Sequence, residues 1–184
     1  MSKINLDFHK TIELKNGKIV TLRYVRPGDI DTVLDFVNLI ADENEFTNLI
    51  YRKTYEEELD WLINTVKNIL LGKEIFIGVF AGERYIGSVG VSTEEIRGPH
   101  VGVFGIVLAP EFRGLGLGRI MLQEALQQAK DHLKMTMVRL SCFANNDVAI
   151  QLYLNEGFVE YGRLPGGLKY RDMLVDQILM YKKL

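Results

Sequence analysis

Ile106-Val107-Leu108-Ala109-Pro110-Glu111-Phe112-Arg113-Gly114-Leu115-Gly116-Leu117-Gly118 runs from an apolar segment, through a proline, into glycines at alternate positions. Without Cβ atoms at Gly114, Gly116 and Gly118, backbone N–H groups can approach a ligand closely. A helix starting there adds a partial positive charge, so the natural guest is a phosphate or pyrophosphate. Arg113 and Arg119 flank the turn and are placed to add charge-assisted contacts. The plainer alternative is a tight strand-to-helix connection that holds nothing. Upstream, Val101 to Leu108 reads as a strand. Downstream, Arg119 to Lys134 reads as a helix with Leu122, Ala125, Leu126, Ala129 and Leu133 on one face. Thr136 to Phe143 reads as the next strand, and a strand–helix–strand unit predicts a parallel pair.

Outward from this unit the pattern changes to hairpins and amphipathic helices. Asn16-Gly17 is a hairpin turn signal before a strand at Ile19 to Val25. Pro27 stops that strand, and Asp29 is placed to cap a helix from Ile30 to about Ile40. Ala41 to Lys53 is polar and irregular. Thr54-Tyr55-Glu56-Glu57 is a capping box opening a second helix, with Leu59, Leu62, Val66 and Ile69 as its stripe and Gly72 as its stop. Ile75 to Ala81 and Tyr85 to Ser92 form a hairpin. A short helix runs from Asn145-Asn146-Asp147 to Gly157. Strands at Phe158 to Tyr161 and Gln177 to Tyr181 follow, joined by a loop holding Pro165-Gly166-Gly167. The expected fold is α/β of the α+β type, one domain over residues 1–184. It has a mixed, mostly antiparallel sheet of about six to seven strands flanked by about four helices, around the central β-α-β unit.

Composition narrows the function classes. The 184 residues carry a formal net charge of −2, which argues against a duplex nucleic-acid binder. The longest apolar run, Ile75 to Ala81, is too short to span a bilayer, and Met1 to Lys10 lacks a signal-peptide core. Cys142 is the single cysteine, so no internal disulfide forms and a reducing, cytoplasmic setting is expected. It reads as a small buried hydrophobe. His9, His100 and His132 are isolated from one another and from Cys142, so no metal site is expected.

Spacing excludes two nucleotide motifs. No Gly-x-x-x-x-Gly-Lys-Ser/Thr run is present. Gly-x-Gly-x-x-Gly fails from Gly114, where Arg119 stands at the third glycine, and from Gly116, where Met121 does.

Arg113 to Gly118 resembles the R/Q-x-x-G-x-G/A signature of the GNAT superfamily of N-acetyltransferases. Asn146-Asp147-Val148-Ala149-Ile150-Gln151-Leu152-Tyr153, followed by Gly157-Phe158, resembles that family's second motif. The resemblance is close from about Ile75 to Tyr161. It implies transfer of an acetyl group from acetyl-CoA to a primary amine by direct attack. It further implies a bulged strand whose Ile106, Val107 and Leu108 backbone groups bind the acetyl and pantetheine amides, with Gly105 easing the bulge. Arg113, Gly114, Leu115, Gly116, Leu117 and Gly118 would hold the pyrophosphate. Asn146 would lie near the coenzyme arm, or cap its helix, or both. Tyr153 would protonate the departing thiolate. A homodimer is compatible with the resemblance. The alternative from another class is a catalytically silent acyl-CoA-binding or sensor domain on the same fold; a module for NAD or ATP is a weaker third.

Two matters stay open at this level. Many members of the family use a glutamate on the bulged strand as base, and Val101 to Leu108 contains no acid. Glu43, Glu45, Glu94, Glu95, His100 and a water chain are the alternatives. The acceptor is a small-molecule amine or a protein amino group. Its pocket is expected between Ala41–Lys53 and Gly162–Asp176.

Overall fold

Eight strands form one sheet in the computed structural model, which describes residues 4, 6–93 and 98–184. In chain order these are β1 (His9–Glu13), β2 (Ile19–Tyr24), α1 (Ile30–Glu43), α2 (Tyr55–Leu70), β3 (Glu74–Ala81), β4 (Arg84–Thr93), β5 (Val101–Leu108), α3 (Leu117–Leu133), β6 (Met137–Phe143), α4 (Asp147–Asn155), β7 (Val159–Tyr170) and β8 (Met173–Lys183). The sheet order is β1-β2-β3-β4-β5-β6-β8-β7, antiparallel throughout except for β5 and β6. The mixed sheet and four helices match expectation, with slightly more strands than expected.

Alternation assigns the helices to faces. Leu22 and Tyr24 of β2 are buried toward α3, where Tyr24 donates a hydrogen bond to Gln128. The opposite parity, Arg23 with Phe80 and Tyr85, faces α1; the Tyr85 and Phe36 rings meet edge-on at 5.1 Å. Thus α1 and α2 cover one face and α3 the other. Leu62 and Ile69 from α2, and Leu117, Met121 and Leu122 from α3, are fully buried. Each such side chain stabilises the fold by roughly 1.5–3 kcal/mol relative to exposure.

Local expectations were met unevenly. The Thr54 capping box forms: the Glu57 N–H reaches Thr54 Oγ1 at 3.3 Å, and Glu57 Oε2 accepts from the Thr54 N–H at 2.9 Å. Asp29 stands at the start of α1, but its carboxylate accepts from the Arg26 N–H and pairs with Arg23 instead of capping the helix. The expected loop at Pro165-Gly166-Gly167 is a bulge inside a long β7–β8 hairpin, where Gly166 donates to Asp176. Proline and two glycines mask the strand alternation there, and cross-strand pairing to β8 restores it.

The parallel β5–β6 pair is short. Val101, Gly102 and Val103 pair with Met137, Val138 and Arg139, and beyond them no pairing continues. β5 runs on to Leu108 and β6 to Phe143, so the two strands part into a split. No register shift interrupts β4 against β5 from Gly102 to Leu108. The expected bulge in β5 is therefore absent from that ladder; unpaired backbone arises from the parting of the strands.

Candidate active site

Which backbone groups face the split follows from the ladder. The Ala109 N–H bonds to the Ile86 carbonyl on β4 at 2.8 Å. In an antiparallel ladder hydrogen-bonded and non-bonded pairs alternate. Hence Val107 and Gly105 turn their polar backbone groups toward β4, and Ile106 and Leu108 turn theirs toward the split. The Leu108 carbonyl accepts from Arg113 Nε at 2.9 Å. That leaves both backbone groups of Ile106 and the N–H of Leu108 directed at the opening, while Val107 lines it with its side chain.

At the open end of β5, α3 begins without a side-chain cap. Gly114 (φ +73°) and Gly116 (φ +82°) are both left-handed, a conformation that L side chains rarely adopt. Gly118 lies inside the first turn of α3. The first-turn N–H groups of Leu117, Gly118 and Arg119 have no intrahelical partner and no capping side chain, an arrangement suited to an anion. Leu115 packs half-buried against the core and Leu117 is fully buried, so their side chains anchor the turn and leave its backbone to the ligand.

The two flanking arginines pair with carboxylates of other elements. Arg113 makes a bidentate pair with Glu43 (2.5 and 2.7 Å) besides its bond to Leu108, tying α1 to the end of β5. Arg119 Nε meets Glu156 at 2.5 Å, and Gln123 shares that carboxylate. Both were expected beside a phosphate; their charges are matched to carboxylates that sequence spacing did not pair with them.

Across the split, the Asn146 side chain accepts from the Ala149 N–H at 3.1 Å and so caps α4. Asn146 and Tyr153 both line the cavity. Tyr153 is buried, with its ring edge-on to Phe104 (6.1 Å) and tilted against Phe158 (5.8 Å). Burial holds its phenol well above the usual tyrosine range, so the hydroxyl keeps its proton. Cys142 lies nearby on the cavity wall, and burial pushes its thiol up to about 11, an unreactive state.

The cavity has a volume of about 760 Å³. It opens on the α1/α2 face, floored by two paired glycines, Gly90 and Gly105. A Cβ built on Gly105 would meet nothing within 4 Å. Both expected borders contribute: Phe46 to Leu49 from the segment after α1, and Leu168 from the hairpin, with Gln177 one residue beyond the expected bound. Phe46 stacks on Tyr170 at 4.7 Å, and Glu45 accepts from Tyr170 and Arg171 (2.6 and 2.7 Å), joining the two borders.

The candidate bases fare poorly. Glu43 is held by Arg113. Glu45 lies below the usual carboxylate range, because the Tyr170 hydroxyl and the Arg171 guanidinium favour its charged form. The His100 carbonyl accepts from the N–H groups of Thr136 and Met137, placing that residue at the closed end of the split. Glu94 and Glu95 lie outside the described residues.

Residues not singled out from sequence line the acceptor side instead: Glu58, Trp61, Glu74 and Phe76. Glu58 is 4% exposed and shares the buried stripe of α2 with Leu62, Thr65 and Ile69. Burial raises both Glu58 and Glu74 above the usual carboxylate range. The signal was present: Glu58 precedes Leu62 by four residues, so an acid occupies a core-facing position.

Residues 36–158 match the model of the acetyltransferase (GNAT) family. The chain belongs to that family. It is accordingly an acyltransferase. Spermidine N(1)-acetyltransferase of Vibrio cholerae is 31% identical over 149 residues, covering 79% of this chain and 82% of that protein. A GNAT-family acetyltransferase from Streptococcus pneumoniae superposes with a TM-score of 0.80 at 25% identity, over 90% of this chain and 99% of that one. A ribosomal L7/L12 alpha-N-protein acetyltransferase solved with coenzyme A shares the fold (TM-score 0.78, 14% identity, 90% and 94% covered). Among the described residues of this GNAT chain, no helix is long and apolar enough to cross a membrane.

Proposed function

We infer that this enzyme transfers acetyl from acetyl-CoA to a primary amine of a small aliphatic polyamine. The observation that carries the acceptor class is the cavity on the α1/α2 face, where Glu57, Glu58 and Glu74 line a space walled by Phe46, Trp61 and Phe76. Carboxylates and aromatic faces suit ammonium groups on an aliphatic chain. The spermidine acetyltransferase relative points the same way.

The coenzyme fits the opposite side. The uncapped start of α3 suits a pyrophosphate, and the free Ile106 backbone groups with the Leu108 N–H suit amides along the split. When bound, acetyl-CoA supplies the thioester to be attacked. Backbone N–H groups on β5 stabilise charge on the thioester oxygen. Tyr153 holds a proton for the departing sulfur.

The test is thiol release from acetyl-CoA with spermidine, spermine, putrescine and an alanine-terminated peptide as acceptors. Polyamines are expected to outrun the peptide; the reverse order would assign a protein N-terminus. With the preferred amine, Tyr153→Phe is expected to lower kcat on the order of 100-fold. Coenzyme affinity by calorimetry is expected to stay constant, and an undiminished kcat removes Tyr153 from the proton transfer.

A further inference from the structure

We propose that Glu58 is the group that takes the proton from the acceptor amine. The inference rests on the amine-acceptor reading above and adds the residue that makes the amine nucleophilic.

The placement of Glu58 is unusual for a glutamate. It sits on the buried stripe of α2 at 4% exposure, yet among the described residues its carboxylate makes no hydrogen bond or salt bridge, and Lys53 is the one opposite charge that acts on it. A buried charge without a partner is costly, and proteins rarely keep one except where a ligand supplies the partner. The carboxylate is not sealed in, because Glu58 lines the cavity. Neighbouring acids are already engaged: Glu57 accepts from the Thr54 N–H, Glu74 from Asn68, Glu43 from Arg113 and Glu45 from Tyr170.

Glu58 shares its cavity with the split. Ser88, Gly90 and Gly105 lie on the sheet face that α1 and α2 cover, and they line the cavity together with Glu58. Tyr153 enters the same cavity from α4, across the split. A base and an acid then approach the thioester from opposite sides. A carboxylate here first pairs with the incoming ammonium and then accepts its proton.

The proton balance is complete without another reactant. The nitrogen–carbon bond forms and the carbon–sulfur bond breaks. Of the two protons that the ammonium loses on becoming an amide, Glu58 passes one to solvent. The second balances the proton that Tyr153 gives to sulfur.

The groups facing Glu58 set its titration. They are Lys53 before α2, Glu57 on α2, Tyr85 and Ser88 on β4, and Glu74 at the start of β3. Burial is the largest influence and raises the carboxyl, Lys53 opposes it, and Glu57 adds to it. A base held nearer neutrality is better matched to an enzyme working near pH 7.

The experiment compares the full chain as wild type, Glu58→Gln and, as a control on the exposed side of α2, Glu56→Gln. Spermidine is the amine and acetyl-CoA the donor. Glu58→Gln is expected to lower kcat on the order of 100-fold at pH 7. The loss should shrink as pH approaches the amine's own pKa, so that the acid limb of the profile moves upward. Coenzyme affinity by calorimetry should not change. In ¹³C-glutamate NMR, a carboxyl titrating above the usual range should be present in the wild type and missing from Glu58→Gln. A wild type that acetylates spermidine while Glu58→Gln stays within about tenfold of it, or keeps a parallel pH profile, overturns the base and leaves the acceptor reading standing. A wild type that binds coenzyme but acetylates no spermidine overturns the acceptor reading and the base with it.

Discussion

Two helix starts point at this site from opposite faces of the sheet, and they are built in opposite ways. α2 opens with a closed capping box and three acids, Glu56, Glu57 and Glu58, in its first turn. α3 opens with left-handed Gly116, no side-chain cap and no acid in its first turn. Both ends carry the same partial positive charge. At α2 the chain satisfies that charge itself and carries extra carboxylates into the cavity. At α3 it leaves the N–H groups unmet. A polar end satisfied from within is available to a cation, and one left bare is available to an anion. On the proposed reading the contrast sorts the two reactants, polyamine on the α1/α2 side and pyrophosphate on the α3 side.

The largest effect should come from giving α3 the acid that α2 already has. Gly118→Asp is sterically permitted, because a Cβ at Gly118 would sit 3.6 Å from Leu152 and no positive φ is involved. The carboxylate would satisfy first-turn N–H groups and favour the helix by roughly 0.3–1 kcal/mol. The same charge would repel the pyrophosphate, so acetyl-CoA affinity by calorimetry is expected to fall on the order of 100-fold while Tm holds or rises. Unchanged affinity would place the coenzyme elsewhere. Gly116→Val is a poorer probe, since the φ of +82° strains any side chain whether or not a ligand is present.

A smaller effect belongs to the acceptor side. Gly105 lies in the cavity floor with open space where a Cβ would stand. Gly105→Val therefore places its Cβ in open space, and its methyl groups take volume from the acceptor. The KM for spermidine is expected to rise about tenfold, the scale on which pockets discriminate a methylene or two. Acetyl-CoA affinity should not move. A rise in both together would mean that the two reactants share this part of the cavity.

The sequence was far more legible on the α3 side than on the α1/α2 side. Gly114, Gly116 and Gly118 mark a local turn, and Asn146 caps its own helix three residues on; such features need no partner distant in the chain. The partners of Arg113 and Arg119 are 70 and 37 residues away, at Glu43 and Glu156, so only the fold reveals these pairs. The parting of β5 and β6 was invisible for the same reason, since an unpaired backbone leaves no mark on residue type. Glu58 could have been suspected. The stripe expected on α2 was centred on Leu59, Leu62, Val66 and Ile69, whereas Leu59 and Val66 are only half-buried and Glu58 and Thr65 take the core-facing places. Periodicity scored on apolar residues alone turns past an acid that faces inward.

The smallest effect tests the bare carboxylate of Glu58 without substrate or coenzyme. Burial raises its pKa in the folded chain above the value of about 4.3 it has when unfolded. The folded state then holds this proton more tightly than the unfolded state. Its contribution to stability is fully present below the unfolded pKa and declines as pH rises toward the raised folded value. Above both values the carboxylate is charged in a poorly solvated place, Lys53 offsets this only in part, and the fold carries the remaining cost. Glu58→Gln keeps the shape and removes the charge, so Tm of the variant minus that of the wild type should increase from pH 4 to pH 8. On the alkaline side the expected gain is on the order of 2–4 °C, the displacement that ~1 kcal/mol makes in a chain of this size. Glu57→Gln should change in the opposite sense. The Thr54 N–H holds that carboxyl below its usual range, so the contribution of Glu57 is present at neutral pH and lost on acidification. Parallel Tm profiles for the two glutamine variants would show that Glu58 is solvated in solution, and its difference from the capping acid beside it would disappear.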